Sequence, residues 1–211
     1  LGSEENRRDN MTEGREYITV QSLKDKKIDP VVQKWALSDG GWHIGGREGE
    51  YTIAEAEERL GDDMYEAVLH KDRWYKVGKD QREEHFIVTY SRKYALYQKA
   101  TRDEQVARAL KKIERGETSK PKSPNDCSRF IHMDHATENG EVAEHTSCSL
   151  DTAKIEEEAR FDGLYALATS LDDTPQAIMK ANHMRYARES LFRVTKTYLE
   201  LTPIDLQRKD R

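Results

Sequence analysis

The sequence lacks several features that would place it in a specialised class of protein. Only two of its 211 residues are cysteine, Cys127 and Cys148, which excludes a framework of disulfide bonds and favours a reducing, cytoplasmic compartment. No apolar run is about 18 residues long, which is the length that indicates a transmembrane helix. The first residues show no signal-peptide pattern. We therefore expect no membrane partner.

The chain also lacks an excess of basic charge. Its formal net charge is -5, from 35 Lys and Arg against 40 Asp and Glu. Proteins that bind nucleic acid over their whole surface are usually basic, so any nucleic-acid contact must be confined to a local surface. Hydrophobic and charged residues each make up 36% of the chain, and the apolar ones cluster in periodic runs, which predicts a folded chain with a modest core.

The local patterns predict an α/β or α+β fold that ends in a long C-terminal helix. The strongest strand signal is HFIVTYS, where β-branched and aromatic residues run together. The segment 91–115 has no internal Gly or Pro and predicts a long helix. The first residues give no helix pattern of their own. Further predicted elements are a strand at 17–23, a short helix from Pro30, a helix ended by Gly61, a strand in DRWYKVGKD, a hairpin at Asn139-Gly140, a short helix after Asp151, a buried strand in FDGLYALATSL and a helix capped by Asp173 or Thr174.

A cluster of cysteines and histidines is the first candidate site. Zinc needs about four nitrogen or sulfur ligands in a tetrahedron. The spacing here matches no zinc-finger pattern, and residues on a hairpin would point to both of its faces. The favoured interpretation is that the histidines are exposed on strands and that the two thiols are buried or have no role, with a zinc site as the alternative. The residues concerned are Cys127, His132, His135, His145 and Cys148.

The segment RYARESLFRVTK is the second candidate site. A helix turns by about 100° per residue, so Arg185, Glu189 and Lys196 share one face. On helix geometry alone, an exposed ion pair between Arg185 and Glu189 is favoured, and a metal-binding Glu189 is the alternative. The apolar residues fall on the opposite side and are predicted to be buried: Met184, Ala187, Leu191, Val194 and Tyr198.

The spacing Arg-x3-Glu-x6-Lys, formed by Arg185, Glu189 and Lys196, resembles the signature of bacterial insertion-sequence transposases of the DDE type. The family pattern is Tyr-x2-Arg-x3-Glu-x6-Lys, and Asn182 stands here at the tyrosine position. The flanking segments FDGLYALATSLDDTPQAIMKANHMRY and FRVTKTYLELTPIDLQRKDR resemble the same family, although Thr202 replaces an arginine usual before the proline. Two further similar blocks are REYITVQSLK and HFIVTYSRKYALYQKATRDEQVARA.

The resemblance implies that the chain is a fragment of a larger enzyme. Residues 1–23 would be the remnant of a ribonuclease H-like core, containing a helix and the last core strand. Residues 24–172 would form a β-rich insertion domain that includes the long helix 91–115, and residues 173–211 would return to the core. The first two catalytic aspartates of the family would precede Leu1. The fragment alone is therefore expected to be inactive and to bind no metal.

The resemblance also implies the chemistry of the complete enzyme, which would cut and join DNA by two-metal phosphoryl transfer. Glu189 would be the last carboxylate of the triad that holds Mg²⁺ or Mn²⁺. Four cations on the same helix would contact DNA phosphates: Arg185, Arg188, Arg193 and Lys196. Asp162 is rejected as a metal ligand, because the family places its second aspartate earlier in the chain. A turn role beside Gly163 is expected for it instead.

The partners that the resemblance implies are transposon-end DNA and a second copy of the full-length protein, in the nucleoid of a bacterial cytoplasm. The alternative is a nucleic-acid-binding or oligomerisation module without catalytic ancestry, because a basic helix face would serve such a module equally well.

Overall fold

The computed structural model describes residues 3–25, 28–78, 81–117, 120–136 and 145–198, and describes side chains within these ranges except at 134–136, 145–147, 186, 192 and 195–198. The described chain is an α+β protein, which confirms the predicted mixture of elements. Its α-helices are α1 Glu4–Thr12, α2 Pro30–Ala36, α3 Ile53–Leu60, α4 Arg92–Glu114, α5 Thr152–Ala159 and α6 Pro175–Tyr198. Its strands are β1 Ile18–Gln21, β2 His43–Ile44, β3 Leu69–Val77, β4 Arg82–Tyr90, β5 Ile131–Ala136, β6 His145–Leu150 and β7 Leu164–Thr169.

Five strands form a mostly antiparallel sheet in the order β1-β7-β4-β3-β2, and β5 and β6 form a separate antiparallel pair. The register of the pair sets Ile131 opposite Leu150 and Ala136 opposite His145. The two flanking strands of the predicted hairpin are therefore present, while its Asn139-Gly140 turn lies outside the described residues. No helix among the described residues combines the length and apolar character needed to cross a membrane.

The chain divides into two compact units. The terminal unit comprises Leu1–Thr19, Trp74–His85 and Ala168–Arg211, and the central unit comprises Val20–Arg73 and Phe86–Leu167. The predicted division at residues 23/24 and 172/173 remains a prediction.

Apolar side chains fill the central unit. Around Phe130, the inner side of α4 packs against β5, β6 and α5 through Ala109, Val106 and Ile113. The predicted long helix is confirmed, with Ser91 as its N-cap and Gly116 just past its end at a φ of 67°. The largest fully buried apolar side chains of this unit are Trp42, Met64, Leu69, Ile87, Val88, Phe130 and Leu167.

The turn before β7 depends on Gly163. Its φ is 79°, and an added Cβ would lie 2.7 Å from Cε2 of Tyr90 and 2.9 Å from the carbonyl oxygen of Ser91. The amide N–H of Gly163 donates to Oε1 of Gln98 on α4 at 2.7 Å. These contacts admit no side chain and fix the start of β7 against α4.

The terminal unit has a polar interior. The buried Glu84 carboxylate accepts hydrogen bonds from the hydroxyl of Tyr17 at 2.6 Å, from Nη1 of Arg7 at 3.0 Å and from Nη2 of Arg82 at 3.3 Å. Burial raises the pKa of Tyr17 well above its usual value, and the hydrogen bond to Glu84 is the second largest cause of this rise. Paired charges therefore hold α1, the start of β4 and the segment before β1 together.

Helix α1 contradicts the expectation from the local pattern that the first residues form no helix of their own, whereas the resemblance implied a helix within residues 1–23. The sequence EENRRDNMT is almost entirely polar, so it has no apolar stripe to indicate a helix. The helix is stabilised at its start instead, where the Oγ of Ser3 accepts from the N–H of Asn6 at 3.3 Å and two acids occupy the first turn.

Candidate functional site

The helix that carries the predicted site, α6, begins as its sequence predicts. Pro175 is its first residue, and the Oγ1 of Thr174 accepts from the N–H of Ala177 at 3.3 Å. The carbonyl of Thr174 accepts the first helical hydrogen bond, from the N–H of Ile178 at 3.1 Å. The side chain of Ile178 is buried, which fixes the first turns of α6 within the terminal unit.

The predicted buried stripe of α6 is wrong for the residues whose side chains are described. Leu191 is 64% exposed, and Met184, Ala187 and Val194 are exposed as well. The side chain of Tyr198 lies outside the described residues. Periodicity places these residues on one side of the helix, but burial also depends on a partner surface that the periodicity of one helix does not specify. An apolar stripe is left facing outward.

The Arg185–Glu189 pair lies on the opposite side of α6. Nε of Arg185 lies 3.7 Å from Oε1 of Glu189, and Nη1 of Arg185 donates to the carbonyl oxygen of Ile18 at 3.1 Å. Arg185 therefore joins α6 to the start of β1 within the terminal unit. The Glu189 side chain is 62% exposed, so this ion pair adds little to stability and leaves the carboxylate open to a ligand.

One carboxylate does not make a two-metal site. Magnesium and manganese prefer oxygen ligands, and catalytic pairs of these ions need several carboxylates. Among the described residues, no group of three or more His, Cys, Asp or Glu is placed to hold a metal ion. Glu189 is therefore an open carboxylate that belongs to no such group among the described residues.

The predicted phosphate-contacting cations lie around Glu189 on α6. Arg188 and Arg193 are exposed, and both lie within about one turn of Glu189. The side chain of Lys196 lies outside the described residues. The surface around the carboxylate is therefore basic on α6, which contains no other acidic residue.

The Cys and His cluster does not converge where its side chains are described. Cys148 lies opposite Met133 in the β5–β6 pair, and both Cys148 and Cys127 pack at the apolar cluster around Phe130. His132 neighbours Met133 in β5, so it points to the other face, where it is exposed. The side chains of His135 and His145 lie outside the described residues. Both cysteines are free thiols.

Asp162 has the structural role that the sequence predicted. Its two carboxylate oxygens accept from Nη1 and Nη2 of Arg102, each at 2.6 Å. This hydrogen bond to Asp162 raises the pKa of Arg102. The carboxylate therefore anchors the turn before β7 to α4.

A buried lysine in the central unit had no sequence signal. Lys71 is 2% exposed, and its Nζ donates to the carbonyl oxygens of Ser38 at 2.6 Å and Trp35 at 3.0 Å. The same Nζ lies 4.4 Å from the ring centroid of Trp42. Burial lowers the pKa of Lys71 to about 8. The side chain of Lys71 therefore holds the loop between α2 and β2 and is buried away from solvent.

Comparison of the chain with models of protein families, with curated proteins and with solved structures returned no match.

Proposed function

We propose that this chain is the glutamate-bearing fragment of a DDE-type bacterial insertion-sequence transposase. Its α6 and β1 would belong to a ribonuclease H-like core, and the complete enzyme would act on transposon-end DNA in the nucleoid as a homodimer. The main support for this proposal is the Arg185–Glu189 pair on α6. Glu189 is an exposed carboxylate on a basic helix, and Arg185 donates a hydrogen bond to the carbonyl oxygen of Ile18 in β1. The fragment itself is expected to be inactive.

In the complete enzyme, Glu189 would contribute one hard oxygen ligand to Mg²⁺ or Mn²⁺, which supply Lewis-acid activation for phosphoryl transfer. Arg185 donates to the carbonyl of Ile18 and holds α6 in place, which sets the position of the Glu189 carboxylate. Arg188 and Arg193 present positive charge to a DNA backbone beside it. The helix thus provides a ligand, its alignment and a phosphate-binding surface.

The outward apolar stripe of α6 supports the fragment proposal. Met184, Leu191 and Val194 lie on the side opposite Arg185 and Glu189. A core helix of a larger domain needs such a stripe to pack against its neighbours. We assign the two missing carboxylates and the cover of this stripe to further parts of the full-length protein.

The test is cleavage of insertion-sequence end DNA by the full-length protein with Mg²⁺. Glu189→Gln is expected to reduce cleavage by at least about 1,000-fold, because it removes a metal ligand. The matched control is Glu13→Gln, which removes another exposed glutamate of the terminal unit that pairs with an arginine. Full activity of the Glu189→Gln protein would refute the proposal.

The second candidate is a non-catalytic nucleic-acid-binding or oligomerisation module. The exposed Leu191 and Val194 favour it, because the same stripe would suit a self-association surface. The reading frame before Leu1 separates the two candidates. A transposase requires an aspartate directly after a hydrophobic strand there, and the module does not.

A further inference from the structure

Helix α4 presents an exposed face that combines aromatic rings with positive charge. The helix carries seven Lys or Arg residues against three Asp or Glu, in a chain whose net charge is -5. Its inner side is occupied by Arg102, Ala109 and the cluster around Phe130, while the cations Arg108 and Lys111 lie on the outer side. A local basic surface on an acidic chain indicates a polyanionic partner.

Two tyrosines lie at the N-terminal part of this outer side. Tyr97 is 67% exposed and Tyr94 is exposed as well. Their ring planes are inclined by only 16°, with centroids 6.4 Å apart, so they offer parallel π-faces to solvent. Tyr65 is also exposed, and the Nζ of Lys93 lies 5.3 Å from the centroid of its ring.

Two cations continue the same side toward the C-terminus. Arg108 and Lys111 fall within about 40° of Tyr97 around the helix axis. Both are exposed and line a shallow surface depression with Glu104 and Ala107. Neither forms a salt bridge with a carboxylate in the described part of the chain, whereas Lys99 on another side pairs with Asp103 at 2.7 Å. Their charge is available to a ligand.

The geometry points to a binding site for single-stranded DNA on this outer side of α4, formed by Tyr94, Tyr97, Arg108 and Lys111. Every base has a π-face, so exposed rings stack on unpaired bases without sequence preference, while adjacent cations bind the phosphates. A duplex hides its bases, and a protein partner would not require the unpaired cations. The site goes beyond the proposed function, because it lies on another helix and needs no metal.

The experiment measures binding of the 211-residue chain to fluorescently labelled oligothymidylate in the presence of EDTA. The variant Arg108→Gln/Lys111→Gln is expected to bind at least about tenfold more weakly at about 50 mM salt. The slope of log affinity against log salt should fall in magnitude by about 1.4, the value for two phosphate contacts on a single strand.

The matched control is Arg92→Gln/Lys99→Gln, which removes the same residue types and the same charge from another side of α4. It is expected to change affinity by less than about twofold, since those cations already pair with Glu57 and Asp103. Equal losses in the two double variants, or no binding by the unmodified chain, would overturn the inference.

Two further variants separate the contributions. Tyr97→Ala should weaken binding at least about fivefold through lost stacking, while Leu96→Ala on the same turn should not. Duplex binding as tight as single-strand binding, with no effect of Tyr97→Ala, would contradict the site. So would an α4-dependent dimer with unchanged DNA affinity, which would make the face a protein interface. The assay contains EDTA and requires no metal ligand, so failure here is distinct from failure of the proposed catalytic role.

Discussion

The two units of the chain are built from different interiors. The central unit buries large apolar side chains such as Trp42, Ile87 and Phe130. In the described part of the terminal unit, the buried apolar residues are Tyr17, Ala168 and Ile178. A carboxylate bound by two arginines and a tyrosine takes the place of a larger apolar cluster there.

The central unit has the apolar interior that is typical of an independently folding domain. Apolar burial is the main favourable contribution to folding, and the central unit has it in quantity. The terminal unit relies on paired charges, whose desolvation offsets much of their attraction, and it exposes an apolar stripe on α6. Apolar burial therefore contributes less to the stability of the described terminal unit than to that of the central unit.

The largest effect is expected in the central unit. Phe130→Ala removes a fully buried ring and leaves a cavity, so the free energy of unfolding should fall by about 3–5 kcal/mol. Denaturant titration measures this change. Val31→Ala, at an exposed position, is the control and should change stability by less than about 0.5 kcal/mol. A loss below about 1 kcal/mol for Phe130→Ala would contradict the claim that apolar burial stabilises the central unit.

A smaller but still substantial effect is expected for Glu84→Gln in the terminal unit. The change leaves Arg7 and Arg82 without their shared carboxylate, which should reduce the free energy of unfolding by about 3 kcal/mol. Glu83→Gln on the same strand is exposed and should have almost no effect. Equal stability of the two variants in urea titrations would show that paired charge does not hold this unit together.

The next effect concerns pH and the buried Lys71. Its folded pKa is about 8, below the ordinary 10.5, so the unfolded state binds more protons between these values. Stability should therefore rise as the pH increases from about 8 to 10.5, by up to about 3 kcal/mol. Lys71→Met should lack this rise in unfolding measurements over the same range. The same pH dependence in both proteins would contradict the assignment.

The smallest effect is expected for the candidate site itself. Glu189→Gln breaks only an exposed ion pair, so thermal and chemical unfolding should change by less than about 0.5 kcal/mol. A loss above about 2 kcal/mol would mean that Glu189 is a structural residue, and the distinction between function and stability at this helix would fail.

The sequence predicted those elements whose signals are local. The ends of α3 at Gly61, of α4 at Gly116 and the start of α6 at Pro175 follow from caps that act within one turn. The local pattern missed helix α1, because this helix has an N-cap but no apolar stripe. The outward stripe of α6 was wrongly expected to be buried, since burial depends on surfaces far away in sequence.

The site was predictable only in part, for the same reason. The side of α6 shared by Arg185 and Glu189 follows from spacing alone. The hydrogen bond from Arg185 to Ile18 joins residues that are far apart in sequence, and so do the hydrogen bonds that Lys71 donates to carbonyl oxygens. Neither arrangement could therefore be predicted from a local sequence pattern.

A Mn²⁺ titration of the full-length protein and of the 211-residue chain, carried out side by side, tests most directly whether Glu189 is a metal ligand. We expect a micromolar site in the full-length protein that weakens at least about tenfold with Glu189→Gln, and no such site in the 211-residue chain. A micromolar site in the 211-residue chain, or full-length binding that does not depend on Glu189, would contradict the claim that Glu189 is one ligand of a metal site completed elsewhere in the protein.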